Sequence, residues 1–583
     1  MKLKLKLLFQ IMCCVVLITA SACSSDSKEP EEPKVVDTDG DGVEDSKDEC
    51  PTVAGLASLN GCPEEEEEED VWTVNVANQQ ALNVVFFIPT DFASDEGTVT
   101  DISGHISDVM LYMQAWFKKQ MEYNGYGSKT FGLMTNQHGK VHVLVVKGQY
   151  SSTHYNGRSV NVKPEVEEYL AENPEFDKSA HTLVLAEKGA NIGFNGLGKW
   201  CFATSADYSL TDTGKTFDGF ALKTCESLGG IMHELGHGLN LPHNCQKASE
   251  EPNVALMSFG NHTYEGGNPE KVYLTQSSSA ILNVNSLFNK TTNGISYYMV
   301  EPLVEIKSVN ITKNNVTAAI VINASFTSNT PVTHTYAGFD FVNAGANPPN
   351  DNYDEITYLK APTQDANGVY TFQVEVPYND LFNTYQVDNK DEAVIEINVL
   401  TENGFRIKPF DHYYTTNTLT QVPNDDIIVG YTAFEYSDRS SWTVTANTST
   451  SNTERQAEKM VDGNESSYWH SLWPYYVANR GPHEITVDMG TTKAAAGVYI
   501  LSNRDHNDQY RPKNITIQTS TDGTTWTTAI DSYTVPTYAE AERLSLNFAS
   551  SLNFRYFKVL VSERYTNTTS AEENLIIAEL DIY

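Results

Sequence analysis

From residue 71 onward the apolar positions fall into two periods. "ALNVVFFIP" carries the unbroken apolar run "VVFFI", as expected of a buried strand. Within "HISDVMLYMQAWFKKQMEY", Ile106, Val109, Met110, Met113, Trp116, Phe117 and Met121 recur at helical spacing, which predicts an amphipathic helix. "KVHVLVV" and "SAHTLVLAE" read as further strands, with a helix in "KPEVEEYLAE" between them. Strand and helix in turn predict an α/β sheet within residues 71–300, closed by a helix in "TQSSSAILNVNSLF".

After residue 301 the period drops to two. "VEIKSVNITKNNVTAAIVINASF", "YTFQVEVPY" and "EAVIEINVLTENGFRIKPF" alternate apolar and polar residues between Asn, Gly, Pro and Asp turns. Residues 301–428 are therefore expected to form an immunoglobulin-like β-sandwich. It shows no candidate chemistry and reads as a spacer. Residues 429–583 are again strand-rich, in "HEITVDMG", "NITIQTSTDGTTW" and "FRYFKVLVSE". A chain of 583 residues exceeds what one hydrophobic core can organise, so the expected fold is multidomain, an α/β domain followed by two β-sandwiches.

The opening "MKLKLKLLFQIMCCVVLITASAC" has a basic start, an apolar stretch too short to span a bilayer comfortably, and small residues Ala20, Ser21 and Ala22 before Cys23. That pattern predicts an export signal over residues 1–22. It resembles a bacterial lipoprotein signal, which implies that Cys23 carries a lipid and that residues 23–36 tether the protein to the envelope surface. Ala20 stands where that family usually has leucine, and an ordinary Ala-x-Ala cleavage stays open. No later segment is long and apolar enough to cross a membrane, so the lipid is the only membrane attachment expected.

Acidic residues outnumber basic ones 76 to 39, for a formal charge of -37, and nucleic acid is not an expected partner. Export makes disulfides permissible. Beyond Cys23 the cysteines are Cys50, Cys62, Cys201, Cys225 and Cys245, an odd set whose pairing cannot be read from sequence.

Residues 37–63 place Asp37, Asp39, Asp41, Gly42, Asp45 and Asp48 at positions 1, 3, 5, 6, 9 and 12 of an EF-hand-like loop. These are the oxygen-ligand positions of a calcium site, with glycine at the sharp turn and Asp where the closing Glu is usual. The stretch resembles a thrombospondin type 3 repeat, which implies calcium binding and a Cys50–Cys62 bridge. The acidic run at 64–70 then reads as a self-repelling, extended linker.

"IMHELGHGLNLPHN" carries the sharpest chemistry. On a helix His233 and His237 present two imidazoles to one point, and Glu234 lies one step round. A catalytic zinc needs a third protein ligand and one open position. His243 is the candidate, yet a continuing helix would carry it about 9 Å further along the axis. Pro242 stops the helix by about Asn240, and Asn240 suits the left-handed reversal that returns His243 to the site.

This spacing resembles the metzincin zinc peptidases, and Met257 in "NVALMSFGN" matches their Met-turn. Asn240 replaces the usual glycine. Phe259 stands two residues after Met257, where some members have a metal-reaching tyrosine, so no tyrosine is expected from that position. The resemblance implies a zinc-activated water with Glu234 as general base. Cys245 could in principle be a fourth ligand; a disulfide or packing role is the other reading.

The last segment, with "AEKMVDGNESSYWHSLW" and "IIAELDIY", resembles discoidin (coagulation-factor C-type) domains and family-32 carbohydrate-binding modules. That implies a structural calcium at Asp462, Asn464 and Glu579, and glycan contacts at His470, Trp473 and Arg504. Together these features predict an exported, surface-anchored zinc endopeptidase acting on extracellular proteins, glycoproteins above all. The alternative is a glycan-binding adhesin lipoprotein whose zinc domain is inactive. No carboxylate pair in the β-rich half supports a glycosidase.

Overall fold

The computed structural model describes residues 36–63, 70–342, 353–381, 390–448, 452–471, 482–502, 510–538, 540–565 and 574–583. The predicted signal, Cys23, residues 64–69, Trp473 and Arg504 lie outside these residues. Among the described residues no helix is long and apolar enough to cross a membrane.

Two compact units separate. In the first, Met1–Thr73 with Thr135–Lys140, the aspartate-rich repeat has little apolar core to hold it. Its loop is closed by its own carboxylates and by a Cys50–Cys62 disulfide with Cα atoms 5.0 Å apart.

The second unit, Val74–Met134 with Val141–Tyr583, begins with the α/β domain. Its elements are β1 (Asn83–Ile88), α1 (Glu96–Tyr123), β2 (Leu144–Lys147), α2 (Ser159–Glu172), β3 (Thr182–Glu187), β4 (Asn195–Leu197), β5 (Trp200–Ser205) and α3 (Leu228–Gly238). The sheet order is β2-β1-β3-β5-β4, parallel except for the edge strand β4, which runs antiparallel to β5. β1 is buried throughout because helices cover both faces. Val84 and Phe86 join α1 and α3 in one core, whereas Val85 and Phe87 join α2 in another. Every apolar position predicted for the α1 face is fully buried. The helix starts earlier than its apolar stripe, at Asp95, whose carboxylate accepts the Thr98 N–H at 2.9 Å as an N-cap.

Next comes a β-sandwich of β6 (Val304–Asn314), β7 (Ala319–Ser328), β8 (Val332–Val342), β9 (Ile356–Lys360), β10 (Tyr370–Pro377), β11 (Glu392–Thr401), β12 (Arg406–Thr415) and β13 (Ile427–Thr432). One antiparallel sheet contains β10-β7-β6-β13, and the other is β9-β8-β11-β12. Because β13 pairs with β6 up to the position where Thr432 faces Ser308, the sandwich runs past residue 428, where the sequence pattern put its end.

The spacer reading is also overturned. Along β8, Ala337, Phe339 and Phe341 fill the sandwich core, but Tyr336 points the other way and joins the core of the α/β domain together with Leu400. The thiol of Cys245, two residues past His243, is buried in the sandwich core. An alternating strand looks half-exposed when its second face is covered by another domain. The period was right and the solvent side was not.

The last domain holds β14 (Thr443–Ala446), β15 (His483–Leu501), β16 (Pro512–Ser520), β17 (Thr527–Thr534), β18 (Arg543–Arg564) and β19 (Glu579–Ile582). Its main sheet is ordered β14-β15-β18-β16-β17, with β19 on β15.

Candidate metal centre

α3 ends as its sequence requires. Asn240 takes φ +71°, its N–H donates to His237 O at 2.9 Å, and the Leu241 N–H donates to Gly236 O at 3.0 Å. This pair of bonds is the Schellman arrangement, which satisfies two carbonyls while turning the chain back. The Asn240 side chain donates to the Tyr298 hydroxyl at 3.1 Å, anchoring the reversal. Glycines let α3 pack closely: a Cβ on Gly238 would meet Cys201 Sγ at 2.5 Å.

The reversal brings the three imidazoles together. His237 Nε2 lies 3.2 Å from His233 Nε2 and 3.0 Å from His243 Nε2. On the opposite ring edges, His233 Nδ1 faces Leu256 O at 2.8 Å and His237 Nδ1 faces Leu241 O at 2.9 Å. A carbonyl can only accept, so both Nδ1 atoms carry the proton and both Nε2 lone pairs point inward. Nitrogens at about 2.05 Å from a tetrahedral zinc sit about 3.3 Å apart, and the observed separations come close to that. The residues fit the metal. Burial pushes His233 down to about 3 and lowers His237 as well, favouring the neutral ring that ligates.

Glu234 lines the same cleft with His237 and His243, a volume of about 420 Å³. Burial pushes its carboxyl up to about 7, and its Oε2 is buried without a hydrogen-bond partner. A buried carboxyl oxygen without a partner thus belongs to the residue that lines the cleft together with His237 and His243. The cysteine question is answered by position: none of Cys201, Cys225 and Cys245 forms a disulfide, and Cys245 packs in the sandwich.

Met257 underlies the site at 1% exposure, inside the irregular turn Leu256–Gly260. Phe259 points outward, 41% exposed. The position near the histidines is taken instead by Tyr353, whose ring stacks on His243 with centroids 3.8 Å apart and lies 5.6 Å from Phe259. Tyr353 leads into β9, 110 positions beyond His243, and no local pattern in the sequence points to it.

Among the described residues, Asp37, Asp39 and Asp41 are the second group whose ligand atoms converge, and Asp39 Oδ2 is buried without a partner. Asp45 instead accepts the Thr38 N–H at 2.7 Å, and Asp48 the Cys50 N–H at 2.7 Å. In the last domain Asp462 adjoins the fully buried Glu579, but Asn464 Oδ1 accepts its own loop's Ser466 N–H at 3.1 Å. Arg439 pairs with Glu579 at 2.5 Å. His470, expected at a glycan-binding surface, is 3% exposed because its short strand pairs with Ile576, so it is not on an open sugar face.

Over 61% of its length this chain superposes on 96% of wild-type OgpA from Akkermansia muciniphila, at 25% identity and a TM-score of 0.50. A catalytically inactive OgpA, 24% identical with a TM-score of 0.50 over the same shares, was solved with an O-glycopeptide substrate, glycodrosocin. Galactose oxidase of Gibberella zeae is 33% identical over 88 residues, 15% of this chain and 13% of that protein. A sialidase of Micromonospora viridifaciens is 34% identical over 71 residues, 12% of this chain and 11% of its own. The chain therefore spans only a small part of these two relatives. Residues 443–574 match the F5/8 type C domain, so the carboxy-terminal β-domain is discoidin-like.

Proposed function

We propose that this chain is a zinc endopeptidase that cleaves glycoproteins, with O-glycosylated segments as its substrates. The observation that carries the reading is the convergence of three imidazole Nε2 atoms beside the Glu234 carboxylate in one cleft. The likeness to OgpA, which takes an O-glycopeptide substrate, supports the substrate class, and the discoidin-like domain supports attachment to glycan.

His233, His237 and His243 would hold the metal, which when bound acidifies a water molecule and polarises a carbonyl. Glu234 takes the proton of the attacking water and returns it to the amine nitrogen as the C–N bond breaks. The Leu256 and Leu241 carbonyls fix the ring orientations. The exposed edge of β4 borders the cleft through Asn195 and Gly196 and offers backbone groups to an extended peptide. Calcium at Asp37, Asp39 and Asp41, and export with lipid attachment at Cys23, belong to the same reading; the latter rests on the amino-terminal sequence.

The test is digestion of a mucin-type glycoprotein with cut sites mapped by mass spectrometry. Wild type should cut next to glycosylated Ser or Thr, a chelator should stop it, and Glu234→Gln should keep stoichiometric zinc without cleavage. Zinc retention with no cleavage by wild type on glycosylated or bare protein would favour an adhesin instead.

A further inference from the structure

The β-sandwich is bonded to the zinc motif at several points around Tyr353. The Ser258 hydroxyl, one residue past Met257, donates to Tyr353 O at 2.7 Å. The Cys245 N–H donates to Glu355 O at 2.8 Å, and Cys245 pairs with Ile356 as a parallel bridge. Ser277 and Thr357 share a hydroxyl contact at 2.7 Å. At the start of this tied segment the Tyr353 ring lies on His243 and lines the cleft that holds Glu234. A side chain whose own carbonyl and following strand are held by hydrogen bonds, and whose ring is placed against a candidate ligand, is pre-organised rather than incidental.

Resting on the peptidase reading above, we propose that Tyr353 is a catalytic residue supplied by the sandwich, and that its hydroxyl donates a hydrogen bond to the carbonyl oxygen of the scissile peptide as that oxygen gains charge. The water oxygen bonds to the carbonyl carbon, the π pair moves onto the carbonyl oxygen, and Glu234 holds the water's proton. Tyr353 keeps its own proton throughout. As the tetrahedral carbon collapses, the C–N bond breaks and Glu234 delivers the proton to nitrogen. The α/β domain alone then lacks one catalytic group.

The experiment uses the full zinc-loaded chain and a peptidyl phosphinate, a tetrahedral mimic, with affinity read by calorimetry beside kcat and KM. Tyr353→Phe keeps the stacked ring and should retain zinc and KM while kcat and phosphinate affinity each fall on the order of a hundred-fold. Unchanged kcat and phosphinate affinity overturn the proposal. If the Phe variant does not fold, a fluorinated tyrosine at 353, whose hydroxyl is a stronger hydrogen-bond donor, should raise phosphinate affinity with zinc content unchanged; an unchanged affinity overturns it equally. A wild-type protein that cleaves nothing would instead remove the peptidase reading itself.

Discussion

A Cβ on Gly236 would come 2.4 Å from the sulfur of Met257. Gly236 is the residue between Glu234 and His237 on which the turn beneath the site rests, so that turn and helix approach only because this position has no side chain. Alanine there should gain about 1 kcal/mol in helix propensity yet lose about 1–3 kcal/mol to overpacking. Gly236→Ala is therefore expected to lower the urea midpoint and weaken zinc retention against a chelator. Combining it with Met257→Ala should recover part of the loss, since contacting residues couple. A more stable Gly236→Ala protein would mean that the contact is slack.

The left-handed Asn240 carries a similar burden. Its φ of +71° costs a Cβ-bearing residue about 1–2 kcal/mol, offset in part here by the side-chain bond to Tyr298. Asn240→Ala should thus destabilise and release zinc faster, while Asn240→Gly keeps the backbone and loses only the anchor. Chelator competition should rank wild type and Gly close together and Ala well below. Equal zinc retention in all three would show that the reversal does not depend on residue 240.

Much of this was legible in the sequence because it is local. Helix spacing, a proline stop and a left-handed asparagine act within a few residues, so the three-histidine convergence follows from residues 233 to 243. Burial of the predicted α1 face likewise follows from its period. What was not legible is long-range. Tyr353 and Cys245 reach their positions only because β8 and β9 pack on the α/β domain, and period-two alternation cannot say whether the second face of a strand meets water or protein. His470, which the resemblance to carbohydrate-binding modules implied as a glycan contact, is buried where its short strand pairs with Ile576, and that pairing is likewise long-range.

Glu355 gives the interdomain contact a pH dependence. It is 1% exposed, and burial, with Glu396 adding to it, pushes its carboxyl from 4.5 to about 8 against the pull of Arg406 and Lys408. The folded protein therefore holds a proton that the unfolded chain gives up. The associated stability is fully present below about pH 4.5 and is lost as pH rises toward 8. Glu355→Gln removes this loss. Its unfolding midpoint should gain on wild type from pH 5 to 8, by at most about 1.4 kcal/mol per pH unit. Asp340, beside Asp354 and also pushed up by burial, leaves some dependence in the variant. Parallel pH profiles for the two proteins would show that Glu355 is ionised in the folded state.

The discoidin-like domain poses the converse case, a buried charge that already has a partner. Arg439 is 4% and Glu579 0% exposed at the side chain, 2.5 Å apart, with Asp581 3.7 Å from the same guanidinium. Glu579 Oε1 has no partner, and Asp462 beside it helps to raise the Glu579 carboxyl to about 7 after burial itself. Removing the cation with Arg439→Ala leaves the acids uncompensated and should cost about 3–5 kcal/mol. If Asp462 and Glu579 take calcium, the ion and Arg439 do the same work, and millimolar calcium should raise the thermal transition of Arg439→Ala more than that of wild type. Both scans belong in a background carrying Asp37→Asn and Asp39→Asn, so that the amino-terminal repeat contributes nothing to the calcium shift. A transition insensitive to calcium in both would leave Arg439 as the sole counter-charge and remove the ion from this domain.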